Sequence, residues 1–211
     1  GDLIMAYEHL RKLSETEPDN VKIYMRMANV AYMMEDYNAM ADSCEKAMLI
    51  DKDMPELVYL YAQACIGQGD ATNATAMLTK AICLRNDYGD AYLLRGETLL
   101  GEGKIDEASE DAEWLMERHA DIEEVLMLKA RIERARGNNE NAIEAYGKVI
   151  DTNPFSAEAY RERAAVRLAI GDKEGHDEDM RKANEILPTE DKEDIGQKVE
   201  QKYKDMNPYG F

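Results

Sequence analysis

The sequence predicts an all-α fold, a solenoid of repeated helix pairs. Three observations carry that expectation. A glycine-centred motif recurs every 34 residues, small residues flank it at fixed distances, and large apolar residues sit at helical spacing between the motifs.

The motif falls at Gly1, Glu35, Gly69, Gly103, Gly137 and Gly171, and the next residues are Asp2, Asp36, Asp70, Lys104, Asn138 and Asp172. With only 13 glycines in 211 residues, chance does not build such a column. Seven residues earlier stand Ala28, Ala62, Gly96, Ala130 and Ala164, all small. Five later stand Ala6, Met40, Ala74, Ala108, Ala142 and His176. A glycine ends a helix readily because a left-handed C-cap costs it no steric strain. The Asp or Asn after it can accept from the free amides of the next helix. The small columns let two antiparallel helices approach closely.

Taken in order, residues 1–20 fit the second helix of a repeat whose first helix is missing, which implies sequence upstream or a trimmed chain. Five full repeats follow at 21–54, 55–88, 89–122, 123–156 and 157–188. The first opens with VKIYMRMANVAYMM and the fourth with EEVLMLKARIERA, both apolar at helical spacing. Breaks close the second helices at EPDN, IDKDM, RNDYG, RHADI, TNPFS and LPTE. Residues 189–211 read as a C-terminal cap. Ile195, Val199 and Tyr203 form an apolar stripe on a charged helix, and Pro208 and Gly210 then release Tyr209 and Phe211 to dock internally or recruit a partner.

These columns resemble the tetratricopeptide repeat family. The period, the fourth-position Tyr24, Tyr92 and Tyr160, the small eighth position, the Gly-Asp turn and Pro18, Pro154 and Pro188 all match, over residues 1–188. The resemblance implies a right-handed α-solenoid of helix-turn-helix repeats. It also implies a concave groove, lined by the first helices, that receives peptide segments. Carried onto this chain, the groove columns supply Lys22, Met25, Asn29, Tyr32, Tyr59, Gln63, Leu93, Glu97, Met127, Arg131, Arg134 and Arg161. The thirteenth column includes Gly67 and Gly101, small enough to leave room for a ligand backbone. Methionine and tyrosine suit adaptable contact with extended peptides, although the same residues fit a plain exposed face. Family members that clamp chaperone carboxylates need a cationic set of which only Asn29 matches, with Met25, Leu60, Asp90 and Leu94 elsewhere.

Charge limits the partners. The formal net charge is −18, and a nucleic-acid binder needs a basic face to neutralise phosphates. Anionic membranes are disfavoured for the same reason. No apolar run of about 18 residues is present to span a bilayer. Cys44, Cys65 and Cys83 read as small buried thiols in a reducing compartment, and a cytoplasmic location is expected, with a removed leader left open.

Candidate chemistry is thin. RGETLLGEGK, residues 95–104, is rich in glycine before a lysine, but a phosphate loop needs Ser or Thr after that lysine and a strand before it; here Ile105 follows. His9, His119 and His176 lie in different repeats, and no nucleophile–base constellation can be assembled. No metal, cofactor or catalytic residue is expected. Two repeats carry Arg95 and Arg163 at the seventh position, with Asp111 and Asp179 sixteen residues later. These predict ion pairs bridging the two helices of one repeat. If buried, losing one partner costs about 3–5 kcal/mol; if exposed, under about 1 kcal/mol. Trp114 replaces a lysine found in every other repeat, either as local packing or as an outer contact. The expected function is a non-enzymatic scaffold or adaptor for a protein or peptide partner. The alternative is a structural or self-association module of a larger protein, a homo-oligomer formed through the terminal half-repeat.

Overall fold

The structure is a computed structural model that describes residues 2–187. The expected capping helix, the aromatic tail and Pro188 lie outside the described residues. The described residues form eleven helices and no strand: α1 (Asp2–Thr16), α2 (Val21–Met33), α3 (Tyr37–Ile50), α4 (Pro55–Gly67), α5 (Ala71–Leu84), α6 (Gly89–Gly101), α7 (Ile105–His119), α8 (Glu123–Ala135), α9 (Asn139–Thr152), α10 (Ala157–Ala169) and α11 (Lys173–Ile186). Among them, no helix is long and apolar enough to cross a membrane. A break between Asn138 and Asn139 divides the chain into two compact units. It falls between the two helices of the repeat expected at 123–156.

The 34-residue motif is one recurring turn. Glu35, Gly69, Gly103, Gly137 and Gly171 all have positive φ, from 56° to 85°. The amide after each one reaches back five residues, as in Asp70 N to Cys65 O at 2.8 Å and Lys104 N to Leu99 O at 2.9 Å. The amide of the turn residue itself bonds three residues back, as in Gly103 N to Leu100 O at 3.0 Å. Together these satisfy the orphan carbonyls of the preceding helix in a Schellman motif. Asp36, Asp70 and Asp172 then cap the following helix, accepting from Ala39 N, Asn73 N and Gly175 N at 3.0, 3.1 and 2.9 Å. Lys104 makes no such side-chain bond, and α7 instead opens with Asp106 and Glu107 against its dipole.

In the first unit, α2–α3, α4–α5 and α6–α7 are antiparallel pairs, with α1 before them and α8 after. Three apolar clusters run through it. Tyr24, Met27, Met40 and Leu57 centre the first, which Tyr7 and Leu10 of α1 join from its edge. Val58, Leu78 and Ile82 centre the second, and Leu99, Leu115, Leu128 and Ile132 the third. Ala28, Ala62 and Ala130 are fully buried where helices cross. Gly96 takes the same column because Leu128 fills the space: a Cβ there would lie 2.8 Å from Leu128 Cδ2. No residue of α1 is fully buried, and Ile4 and Met5 remain about 60% exposed.

The second unit, in its described part, holds α9, α10 and α11. Its core is built from Ala142, Tyr146, Val149, Ala159, Ala164, Val166 and Ala183. Tyr146 is fully buried and its hydroxyl donates to Glu162 Oε2 at 2.7 Å. His176, the exception in an otherwise mostly alanine column, donates from Nδ1 to the Ala164 carbonyl at 3.1 Å.

Both predicted ion pairs form, and both are buried. Arg95 grips Asp111 with two bonds of 2.6 and 2.9 Å, and Arg163 grips Asp179 with bonds of 2.7 and 2.9 Å. The two carboxylates are only 4% and 2% exposed. The bond to Asp111 holds the Arg95 guanidinium above its ordinary pKa. For Arg163, burial pulls the other way, but the bond and charge of Asp179 outweigh it. The expectation for the thiols is corrected in part: Cys44 and Cys65 are buried, whereas Cys83 is exposed. Burial first, then proximity to Cys65, pushes the Cys44 thiol up to about 12.

Candidate functional site

The expected groove residues of the first unit lie on its first helices, with α2 packing against α4 and α6 against α8. A helix presents one face every three to four residues, so the fifth, ninth and twelfth positions of a repeat share a face. Lys22, Asn29 and Tyr32 of α2 are exposed, and Met25 is half-buried against the first cluster. Tyr59 and Gln63 of α4 and Leu93 and Glu97 of α6 are half-buried. On α8, Arg131 is half-buried and Arg134 exposed.

Four of these residues stand on successive first helices. The Tyr59 phenol is pushed up to about 12, chiefly by burial and then by Asp90, Tyr88, Tyr32 and Glu97 nearby. Glu97 in turn stands 3.6 Å from Arg131. The strip of Tyr32, Tyr59, Glu97 and Arg131, one residue from each of α2, α4, α6 and α8, thus holds one ion pair at its end. Tyr59 also packs on Tyr88, with ring centroids 5.2 Å apart. Tyr32 meets the edge of Tyr37 at 6.4 Å. Tyr32, Met33 and Ile66 expose between 37% and 57% of their surface along the ends of α2 and α4.

Two expectations need correction. Met127 does not face a groove; it is 4% exposed and belongs to the core, because the buried face of α8 is wide enough to take in Val125, Leu126, Met127 and Leu128 in succession. Gly67 does not leave room for a ligand backbone, since the Tyr37 ring occupies the space a Cβ would need. Gly101 does face open space. Arg161 belongs to the second unit, where its Nη2 donates to the Leu187 carbonyl at 2.6 Å. Tyr88 is the residue that sequence reasoning missed. It lies in the inter-repeat break RNDYG, but its column also holds Met54 and Ile122, an apolar signal at the first-helix N-cap.

Trp114 resolves as local packing. Its ring stacks on Tyr92 at 3.9 Å and 10°, and the Arg118 guanidinium covers it at 4.4 Å. Among the described residues, no group of three His, Cys, Asp or Glu side chains is placed to hold a metal ion.

The comparisons with known proteins agree with this architecture. The family pattern described as "Tetratricopeptide repeat" matches residues 66–132 and again 127–175. No curated protein matches the chain in sequence. Among solved structures, the chain is similar to MamA (residues 41 to the end) from Desulfovibrio magneticus RS-1. That match has a TM-score of 0.72 and 19% identity, covering 81% of this chain and 97% of that one. It is also similar to PilW, described as a widely conserved type IV pilus biogenesis factor, at a TM-score of 0.80 and 16% identity over 90% and 88% of the two chains. A third likeness is to YrrB, described as a TPR protein with an unusual peptide-binding site, at a TM-score of 0.66 and 18% identity over 86% and 94%. At these identities the likeness is one of fold. Period, turn geometry, helix pairing and family match converge: the chain belongs to the tetratricopeptide repeat family.

Proposed function

We propose that this chain is a non-enzymatic interaction scaffold whose first unit binds an extended peptide or protein segment along the strip made by α2, α4, α6 and α8. The observation that carries this reading is that Tyr32, Tyr59, Glu97 and Arg131 stand on four successive first helices, half-buried or exposed, with Glu97 3.6 Å from Arg131. Half-buried tyrosines give a rigid apolar contact with a polar tip, and an ion pair beside them can exchange partners with a ligand's backbone or charged groups. The peptide-binding site of the structurally similar YrrB supports a peptide as the ligand class.

The test is selection from a displayed random-peptide library on the intact chain and on a Tyr59→Ala/Arg131→Glu variant that melts normally. The wild type is expected to enrich related sequences, and the variant to bind them at least roughly tenfold more weakly. Equal binding would overturn the groove reading. A second reading, self-association, is favoured by the exposed apolar residues Leu3, Ile4 and Met5 of α1. Light scattering across a concentration series tests it: a monomer at every concentration rejects it.

A further inference from the structure

Beside the strip lies a cleft of about 560 Å³ between the opening turns of α6 and α8, wholly within the first unit. Leu93, Leu115 and Val125 contribute its apolar lining, and Ile122, 41% exposed, stands at its edge. Its acids are Asp87, Asp90 and Glu124. Among the described residues, the side chains of these three make no hydrogen bond or ion pair. The one arginine or lysine in the lining is Arg85, and it is already committed: it pairs with Glu56 and lies over the Tyr88 ring at 4.2 Å. The cleft therefore offers an apolar bed and a surplus of negative charge.

We propose that this cleft takes a lysine or arginine side chain of a bound peptide, the aliphatic stem lying on Leu93 and Ile122 and the cationic head held between Asp90 and Glu124. The proposal rests on the peptide-groove reading and names the chemistry of the peptide. Charge complementarity selects the occupant, because long cationic side chains combine an apolar stem with a charged tip. The molecule already displays the same arrangement internally: Tyr88 receives the Arg85 guanidinium on its face while a carboxylate holds it. Tyr88 also links the cleft to the strip, since its ring packs on Tyr59.

Three forms of the intact chain test this with the same peptide library: wild type, Asp90→Asn/Glu124→Gln, and Glu107→Gln/Glu110→Gln, which removes equal charge from the exposed side of α7. The best wild-type peptide is then remade with norleucine in place of each basic residue. The inference expects one basic position to dominate, its loss and the cleft variant each to weaken binding roughly tenfold, and the α7 control to change binding less than about twofold. Equal weakening by the α7 control would mean general attraction to an acidic surface, and would overturn the inference. So would peptides with no basic preference; if these still depend on Tyr59 and Arg131, the groove reading survives alone. Failure to enrich any peptide overturns both. A change of mass in light scattering for the cleft variant would assign the cleft to a second copy of the chain and also overturn the proposal.

Discussion

Helix pairs α6–α7 and α10–α11 close on the same ion pair in different surroundings. The buried residues of α6 and α7 include two leucines, Leu99 and Leu115, beside Ala91, Gly96, Ala108 and Ala112. The buried apolar residues of α10 and α11 are Ala157, Ala159, Ala164 and Ala183, with Val166 as the largest. The ionic set grows where the apolar side chains shrink. Arg95 has its aspartate to itself and turns a third nitrogen to Thr79 Oγ1 at 3.0 Å, while Asp179 is shared with Arg167 at 3.0 Å. Small side chains bury less apolar area per residue, so the second unit leans harder on a polar cluster to hold its two helices in register.

Breaking the pairs gives the largest expected effect. Asp179→Ala leaves Arg163 without its carboxylate and takes one partner from Arg167, which keeps the Gly175 carbonyl and Asp172, and is expected to cost near the upper end of about 3–5 kcal/mol; Asp111→Ala affects Arg95 alone and should fall near the lower end. Thermal or denaturant melts read the order, and equal losses would break the comparison. Arg95→Met/Asp111→Leu should recover most of the loss of Asp111→Ala, because no buried charge is left alone.

The helix-crossing column comes next. Gly96→Ala drives a methyl into Leu128 Cδ2 and is expected to cost about 1–3 kcal/mol. The reverse change at the same column, Ala164→Gly, opens no clash and should cost about 1 kcal/mol through backbone entropy. If Gly96→Ala is neutral, the packing of α6 against Leu128 of α8 is looser than that close approach implies.

High pH acts on the first unit through its half-buried tyrosines. Burial is the first cause of the raised Tyr59 and Tyr61 phenols, both at about 12, and of the raised Tyr88 phenol; all three belong to the first unit. Unfolded tyrosine ionises near 10. The folded first unit keeps these protons, so their contribution is whole below about pH 10 and is lost as pH climbs toward 12. With solvent screening of half-buried rings, Tyr59 contributes on the order of 1 kcal/mol. Hydrogen exchange should show amides of α4 and α6 losing protection across that range, and Tyr59→Phe should delay the loss.

The smallest effect is at the turns. Glu35 adopts a φ of 56° that glycine occupies at the four other turns. Glu35→Gly should raise stability by up to about 1 kcal/mol. Gly103→Ala should lower it by a similar amount, and a melt of each decides the sign.

Much of this was legible along the chain because its causes are local. A left-handed turn selects glycine, a free helix end selects Asp, and two residues sixteen apart face each other across a tight hairpin whatever the rest of the fold does. The Arg95–Asp111 and Arg163–Asp179 pairs could be named from spacing alone for that reason. Their burial could not, since it depends on the helices that close over them.

The strip and the cleft were legible only in part. Column arithmetic placed Tyr32, Tyr59, Glu97 and Arg131 on neighbouring helices, but it misplaced Met127, because the width of a helix's buried face is set by what packs against it. It gave Gly67 to a ligand when Tyr37 needed the space, and it passed over Tyr88. The sequence by itself determined the repeat, its turns, its caps and its polar pairs, all short-range consequences of residue type. Tertiary structure decided which side chains the neighbouring helices leave open. That turns on the sizes of residues tens of positions apart meeting in one place, and no single repeat contains the information.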